Sequence, residues 1–175
     1  MIFIALIAFV VGSIFLFMQT AVFGARPSGK RLQQIESSPN YKNSTFQNES
    51  LTPLQAENFS FVSTLWKYFN SPSSTTPSSP LPFVRADLKN LDSMEPQIVW
   101  FGHSSYSITI NEENILVDPV FSGNAAPVSF FTANFKGSNA YSADDFPELD
   151  VVLITHDHYD HLDYKTILAL TQTMY

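Results

Sequence analysis

Three of the four histidines in this 175-residue chain fall within six positions, in the string THDHYDH from Thr155 to His161. The string follows a fully apolar run, Val151 to Ile154, and precedes a helical pattern from Tyr164 to Thr171. It therefore sits where a strand gives way to a helix. Side chains at i and i+2 at a strand's end point to one side, so His156 and His158 can grip one ion. Asp160 and His161 lie where the chain turns into the helix, and can reach a second ion close to the first. Imidazole nitrogen with carboxylate oxygen suits Zn²⁺, and also Mn²⁺ or Fe²⁺. A solvated His-rich turn or an adventitious metal site is the bland alternative. An H-x-H-x-D-H string on a strand-to-helix loop is far more specific than a lone pair of histidines.

Composition narrows the chemistry further. The chain has no cysteine, which excludes disulfide frameworks, thiolate zinc sites and cysteine nucleophiles. Residues 90–175 hold 2 basic and 12 acidic side chains, a balance of −10, whereas residues 1–89 hold 7 basic and 4 acidic, a balance of +3. A part that acidic repels phosphate backbones, so no nucleic-acid partner is expected.

Residues 1–25 carry no ionisable side chain, and Ser13 is the only polar side chain from Met1 to Met18. As one helix the segment would span roughly 36 Å, enough for a bilayer core of about 30 Å. A transmembrane anchor over 1–25 is the expectation, in preference to a cleaved signal or a buried soluble helix. Arg26, Lys30 and Arg31 follow at once, so the positive-inside bias places the rest of the chain on the cytoplasmic side of the membrane. Residues 26–82 read as a linker rich in Ser, Thr and Pro. It is interrupted by an amphipathic helix near 54–70, where Phe61, Leu65 and Phe69 recur every four residues. Docking on the following domain is the expectation, because the polar face carries only Glu57 and Lys67 and is not strongly basic; lying in a membrane interface is the alternative.

From about residue 83 the texture changes to short β-prone runs separated by turns. Gln97 to Phe101 is apolar, and Tyr106, Ile108 and Ile110 alternate with Ser105, Ser107 and Thr109 at the period of a half-buried strand. Asn111 to Asn114 is a plausible turn into Ile115 to Val117, giving a hairpin.

These elements resemble the metallo-β-lactamase superfamily. THDHYDH is similar to its signature loop, and Ile115 to Pro119 is similar to its first motif, a strand ending in Asp-Pro. Trp100 to Ser105, with Gly102 and His103, resembles the Gly-His element of the branch that includes N-acylphosphatidylethanolamine-hydrolysing phospholipase D and RomA-type proteins. Ala126 to Phe130, Phe135 to Gly137 and His161 to Lys165 point to the same branch. The likeness covers about residues 80–175 and leaves the anchor and linker outside.

The resemblance implies an α+β domain over 83–175, the N-terminal half of an αββα sandwich; hydropathy and composition place a transmembrane helix and a flexible linker before it. It implies His156 and His158 as ligands of a first zinc, and Asp160 and His161 as ligands of a second. Asp160 would also act catalytically, orienting or accepting a proton from the attacking water. Asp118 would support the histidine loop, although an Asp before Pro also caps turns. His103 would line the site or hydrogen-bond a ligand histidine; a structural histidine is the alternative. Phe121, Phe130, Phe131 and Phe135 could wall an acyl-chain groove or simply form core.

One departure stands out. The family needs further His and Asp ligands after this loop, and no His follows His161. The expectation is the N-terminal part of a longer enzyme, with an open apolar sheet face where a second half would pack. The implied activity is zinc-dependent hydrolysis of a phosphodiester, in a lipid of the N-acylphosphatidylethanolamine type, with the membrane as a partner. Hydrolysis of a lactone or another small metabolite is an alternative. A shortened, inactive membrane protein is the rival from another class.

Overall fold

The structure, a computed structural model, describes residues 1–53, 55–91, 95–129 and 132–173. The chain divides into two compact units, Met1–Pro72 and Ser73–Tyr175.

In the first unit, helix α1 runs over Ile2–Phe17, 16 residues, and none of them is buried. It does not continue to residue 25. The Thr20 hydroxyl donates to the Phe17 carbonyl at 2.7 Å, a short 3₁₀ turn follows over Ala21–Phe23, and Gly24 takes φ +70°. The Phe23 ring folds back edge-on to Phe17, with centroids 5.1 Å apart. At 1.5 Å per residue α1 is about 24 Å long. Among the described residues no helix is long and apolar enough to cross a membrane, so the expected single span over 1–25 is corrected to a shorter helix and a turn.

The stretch assigned to linker has local order. Helix α2 covers Gly29–Glu36, and strands β1 (Tyr41–Lys42) and β2 (Thr45–Phe46) form a small hairpin. Asn43 and Ser44 at its tip both have positive φ, 54° and 61°, the backbone that two-residue hairpins require. Helix α3 spans Phe61–Phe69 and starts where the Ser60 hydroxyl accepts the Ser63 N–H. Leu54, the expected helix start, lies outside the described residues; residues 55–60 are described and are not helical, so the helix expected near 54–70 is corrected to Phe61–Phe69, which begins at the Ser60 cap. None of the residues of α3 is buried.

The second unit is built on one four-stranded sheet: β3 (Gln97–Gly102), β4 (Ser105–Ile110), β5 (Glu113–Val117) and β6 (Val151–Leu153), in that order. The first three are antiparallel, and β6 runs parallel to β5 after a long crossover. The expected β4–β5 hairpin forms, turning on Asn111 and Glu112 with φ 52° and 67°. Asn114 and Asp150 tie the start of β5 to that of β6, with the Asp150 carboxylate accepting the Asn114 N–H at 2.8 Å. Helix α4 (Tyr164–Thr173) follows the histidine loop.

Register decides the faces. Val99, Ser107, Leu116 and Val152 align across the sheet on the core side, where Leu116 and the helix residue Leu170 pack with Leu88, Tyr141, Phe146 and Leu149. On β4 the buried row is the polar one, Ser105, Ser107 and Thr109. Small hydroxyl residues leave room for Phe101, which meets Phe121, Tyr141 and Phe146 at 4.9–5.4 Å. Their polar atoms are satisfied locally: Ser105 donates to the Asp118 carbonyl at 2.6 Å, and Thr109 to the Asn114 side chain at 3.1 Å. The other face aligns Ile98, Ile108, Ile115 and Val151. Ile98 and Trp100 there are 71% and 69% exposed, the open apolar sheet face that the sequence leads one to expect.

The segment entering this unit is tied down as a strap. Leu81 N–H donates to the Lys136 carbonyl at 2.7 Å, and Ala86 N–H to the Tyr141 hydroxyl at 2.8 Å. Arg85 hydrogen-bonds the Ala140 carbonyl, pairs with Asp145 and lies over the Tyr141 ring.

Candidate metal centre

The centre is assembled at one end of the sheet. Asp118 directly follows β5, extends the ladder by donating its N–H to the Leu153 carbonyl at 2.9 Å, and has φ 44°. It is 1% exposed. One carboxylate oxygen accepts the Thr155 N–H at 2.8 Å, and the other accepts the Thr155 hydroxyl at 2.7 Å and lies 2.8 Å from His161 Nδ1. Burial pushes the Asp118 carboxyl up, but the hydrogen bonds from His161 and Thr155 outweigh it and hold the group below its ordinary range.

An ionised carboxylate has no hydrogen to give, so His161 Nδ1 is the donor. In the neutral ring Nε2 is then the lone-pair nitrogen, and it lies 3.9 Å from Asp160 Oδ2. A buried carboxylate fixing one ring nitrogen so that the other can ligate is the common outer-shell device of histidine metal sites. The Thr155 oxygen, having donated to Asp118, can accept from His156 Nδ1 at 3.1 Å, which selects Nε2 as the ligating atom there too.

The remaining histidines gather round. His156 and His158 rings are 4.6 Å apart, and His156 lies 3.8 Å from His161. The loop keeps this arrangement because His161 and Leu162 both donate their N–H groups to the His158 carbonyl, at 3.0 and 2.7 Å. His103 arrives from the β3–β4 turn, its ring 5.3 Å from His161 and its Nε2 3.0 Å from Asp160 Oδ2. It is held at φ 47° with its carbonyl accepting the Trp100 indole N–H at 2.9 Å. Ligand atoms of His103, Asp160 and His161 lie within 4.8 Å of one another. Desolvation raises the Asp160 carboxyl, but a backbone hydrogen bond and the nearby His161 and His103 bring it below its ordinary range. Asp160 is thus an anion facing imidazoles.

Beside His103 and Asp160 lies a cavity of about 470 Å³, walled by Leu81, Trp100, Phe101, Val120 and Phe135. Of the four aromatics suggested for a groove, Phe135 lines this cavity, Phe121 packs against Phe101 and Phe146, and Phe130 and Phe131 lie outside the described residues. Two supporting residues escaped the sequence reading. Thr155 is invisible because its role needs Asp118 beside it. Asp163 carried a signal: an Asp directly before a helix is a cap, and its carboxylate accepts the Lys165 and Ser122 N–H groups.

Comparison with known proteins agrees with this geometry. Residues 97–174 match the beta-lactamase superfamily domain. This part of the chain belongs to that superfamily. Uncharacterized proteins of Mycobacterium bovis and Mycobacterium tuberculosis are 31% identical over 138 residues, covering 77% of this chain and 37% of theirs. The N-acyl-phosphatidylethanolamine-hydrolyzing phospholipase D 1 of Caenorhabditis elegans is 31% identical over 72 residues, 41% of this chain and 20% of that protein. A UPF0173 metal-dependent hydrolase of Nitratidesulfovibrio vulgaris is 39% identical over 69 residues, 39% of this chain and 24% of that one. The chain thus spans little more than a third of the length of even the mycobacterial relatives.

Proposed function

We propose that this superfamily segment contributes to a zinc-dependent hydrolase that cleaves a phosphodiester in a lipid of the N-acylphosphatidylethanolamine type. The observation that carries the reading is the Asp118–His161 contact, which presents Nε2 of a ligand histidine toward Asp160. The donor set fits zinc: imidazole nitrogens with a carboxylate oxygen and no thiolate. His156 and His158 would hold one ion, Asp160 and His161 a second. When bound, such ions supply Lewis acidity for activating water and for offsetting charge on the departing oxygen.

The chain's own residues do the rest. Asp118 and Thr155 fix the rings of His161 and His156. Asp160, anionic and steered by His103, can take up a proton at Oδ2. The apolar cavity beside them suits an acyl chain better than a sugar or a base, and the acidity of residues 90–175 disfavours nucleic acid. Resemblance to the C. elegans phospholipase over 72 residues favours the lipid phosphodiester over a lactone.

The test uses protein expressed from the complete gene, with N-acylphosphatidylethanolamine as substrate and zinc measured by elemental analysis. The expected result is bound zinc and release of phosphatidic acid. Asp160→Asn is expected to lower turnover by about 10²-fold or more, and His158→Ala to lower both turnover and zinc content. Unchanged phosphodiesterase activity in His158→Ala would overturn the mechanism.

A further inference from the structure

The first unit, Met1–Pro72, presents two unlike apolar helices. On α1 the exposed residues lie all round the axis: Phe3, Ile4, Phe9, Val11, Phe15 and Leu16 are each at least 60% exposed. A protein groove covers one side of a helix, whereas an apolar surface on every side needs lipid or a large protein core to cover it, and none of the residues of α1 is buried. With no charge along it and about 24 Å of length, α1 is short of the roughly 30 Å bilayer core. It can enter a membrane without crossing it. Helix α3 is one-sided. Phe61, Val62, Leu65, Trp66 and Phe69 share one face and are 44–76% exposed, while Ser63 and Lys67 lie opposite. That division is the pattern of a helix lying in the interface plane, with the indole at headgroup level. Arg26, Lys30 and Arg31 are exposed between the two helices, and no acidic residue precedes Glu36. They supply the charge complement of an anionic headgroup layer.

We infer that Met1–Pro72 is a monotopic membrane-binding unit for an anionic lipid surface, in which α1 enters the acyl layer, α3 lies in the interface, and Arg26, Lys30 and Arg31 meet the headgroups. The inference is independent of the hydrolase reading and holds or fails without it.

The experiment is flotation of the full chain with vesicles of phosphatidylcholine alone, or with about a third phosphatidylserine, so that floated protein is separated from aggregate. Trp100→Phe provides a background in which Trp66 is the only indole, since the chain has two tryptophans. Flotation with both vesicles is expected, tighter with phosphatidylserine, together with a blue shift of Trp66 emission. Leu65→Glu with Phe69→Glu, at exposed positions outside any core, is expected to weaken partitioning at least tenfold and abolish the shift. Replacing Arg26, Lys30 and Arg31 by Ser is expected to reduce binding to the anionic vesicles on the order of 100-fold, at roughly fivefold per cation, while sparing the neutral ones. Protein that stays with neither vesicle overturns the inference. So does Trp66 emission that ignores lipid, or an α3 double variant that floats like the parent. An oligomer dispersed by the α3 double variant, without flotation, assigns the face to a second copy instead and equally overturns it.

Discussion

Asp118 joins three separate pieces of the fold through one carboxylate: the end of β5, the first residue of the histidine loop, and the His161 ring. Its acceptor character is what selects the His161 tautomer. Asn at this position keeps the size but offers an N–H₂ to His161 Nδ1, which favours the hydrogen on Nε2 where a metal must bind. Asp118→Asn is therefore expected to lower zinc affinity about 10–100-fold, measured by competition with a chromophoric chelator. Affinity equal to that of the parent would limit Asp118 to holding Thr155. The histidine string, Asp118 and Asp160 were all legible as candidates because their chemistry is carried by residue type and spacing. Their mutual geometry was not, and His103 shows why: it is 53 positions from His156, and only the β3–β4 turn brings it against Asp160.

At the scale of elements, the strap from Leu81 to Ala86 depends on one glycine. Gly137 has φ +88°, and a Cβ there would overlap the Leu81 backbone. Gly137→Ala is expected to destabilise the chain by about 2 kcal/mol, from the backbone conformation and the lost approach together. Limited proteolysis should show faster cleavage within 73–83, and an unaltered urea midpoint would count against a close approach. The same strap carries a pH dependence through Asp145. Desolvation raises its carboxyl, but hydrogen bonds from Ser142 and the Arg85 charge bring it below its ordinary value of 3.8. A depressed folded pKa means the stabilisation is fully present above the unfolded value, and is lost as pH falls below about 3.8 through the folded pKa. Asp145→Asn is expected to flatten the stability–pH curve only in that acid window. A difference confined to neutral pH would contradict the assignment. Composition marked residues up to 82 as linker, but strap order comes from backbone partners 55 residues away, which no local pattern reports.

For the whole molecule, the sheet is covered on one face by α4 and the crossover, while the other face leaves Ile98 and Trp100 open. Ile98→Lys on the edge strand is expected to change stability of the purified chain by less than about 0.5 kcal/mol and to reduce light scattering on concentration. A loss of several kcal/mol would show that this face is covered in the purified state.

The sequence by itself determined the strand-to-helix position of the histidine loop, the β4–β5 hairpin, the apolar character of the first 25 residues and the donor types of the centre. Each of these is written in residue type, periodicity or short spacing. Tertiary structure decided the rest. It set which face of β4 is buried, because burial of Ser105, Ser107 and Thr109 depends on Phe101 and the crossover aromatics that fill the space above them. It ended α1 at Phe17 with a hydroxyl cap and a 3₁₀ turn, which hydropathy cannot register. It also brought His103 and Thr155 into the centre. These outcomes turn on contacts between residues distant in sequence, or on single hydrogen bonds that compete with continuation of a regular element.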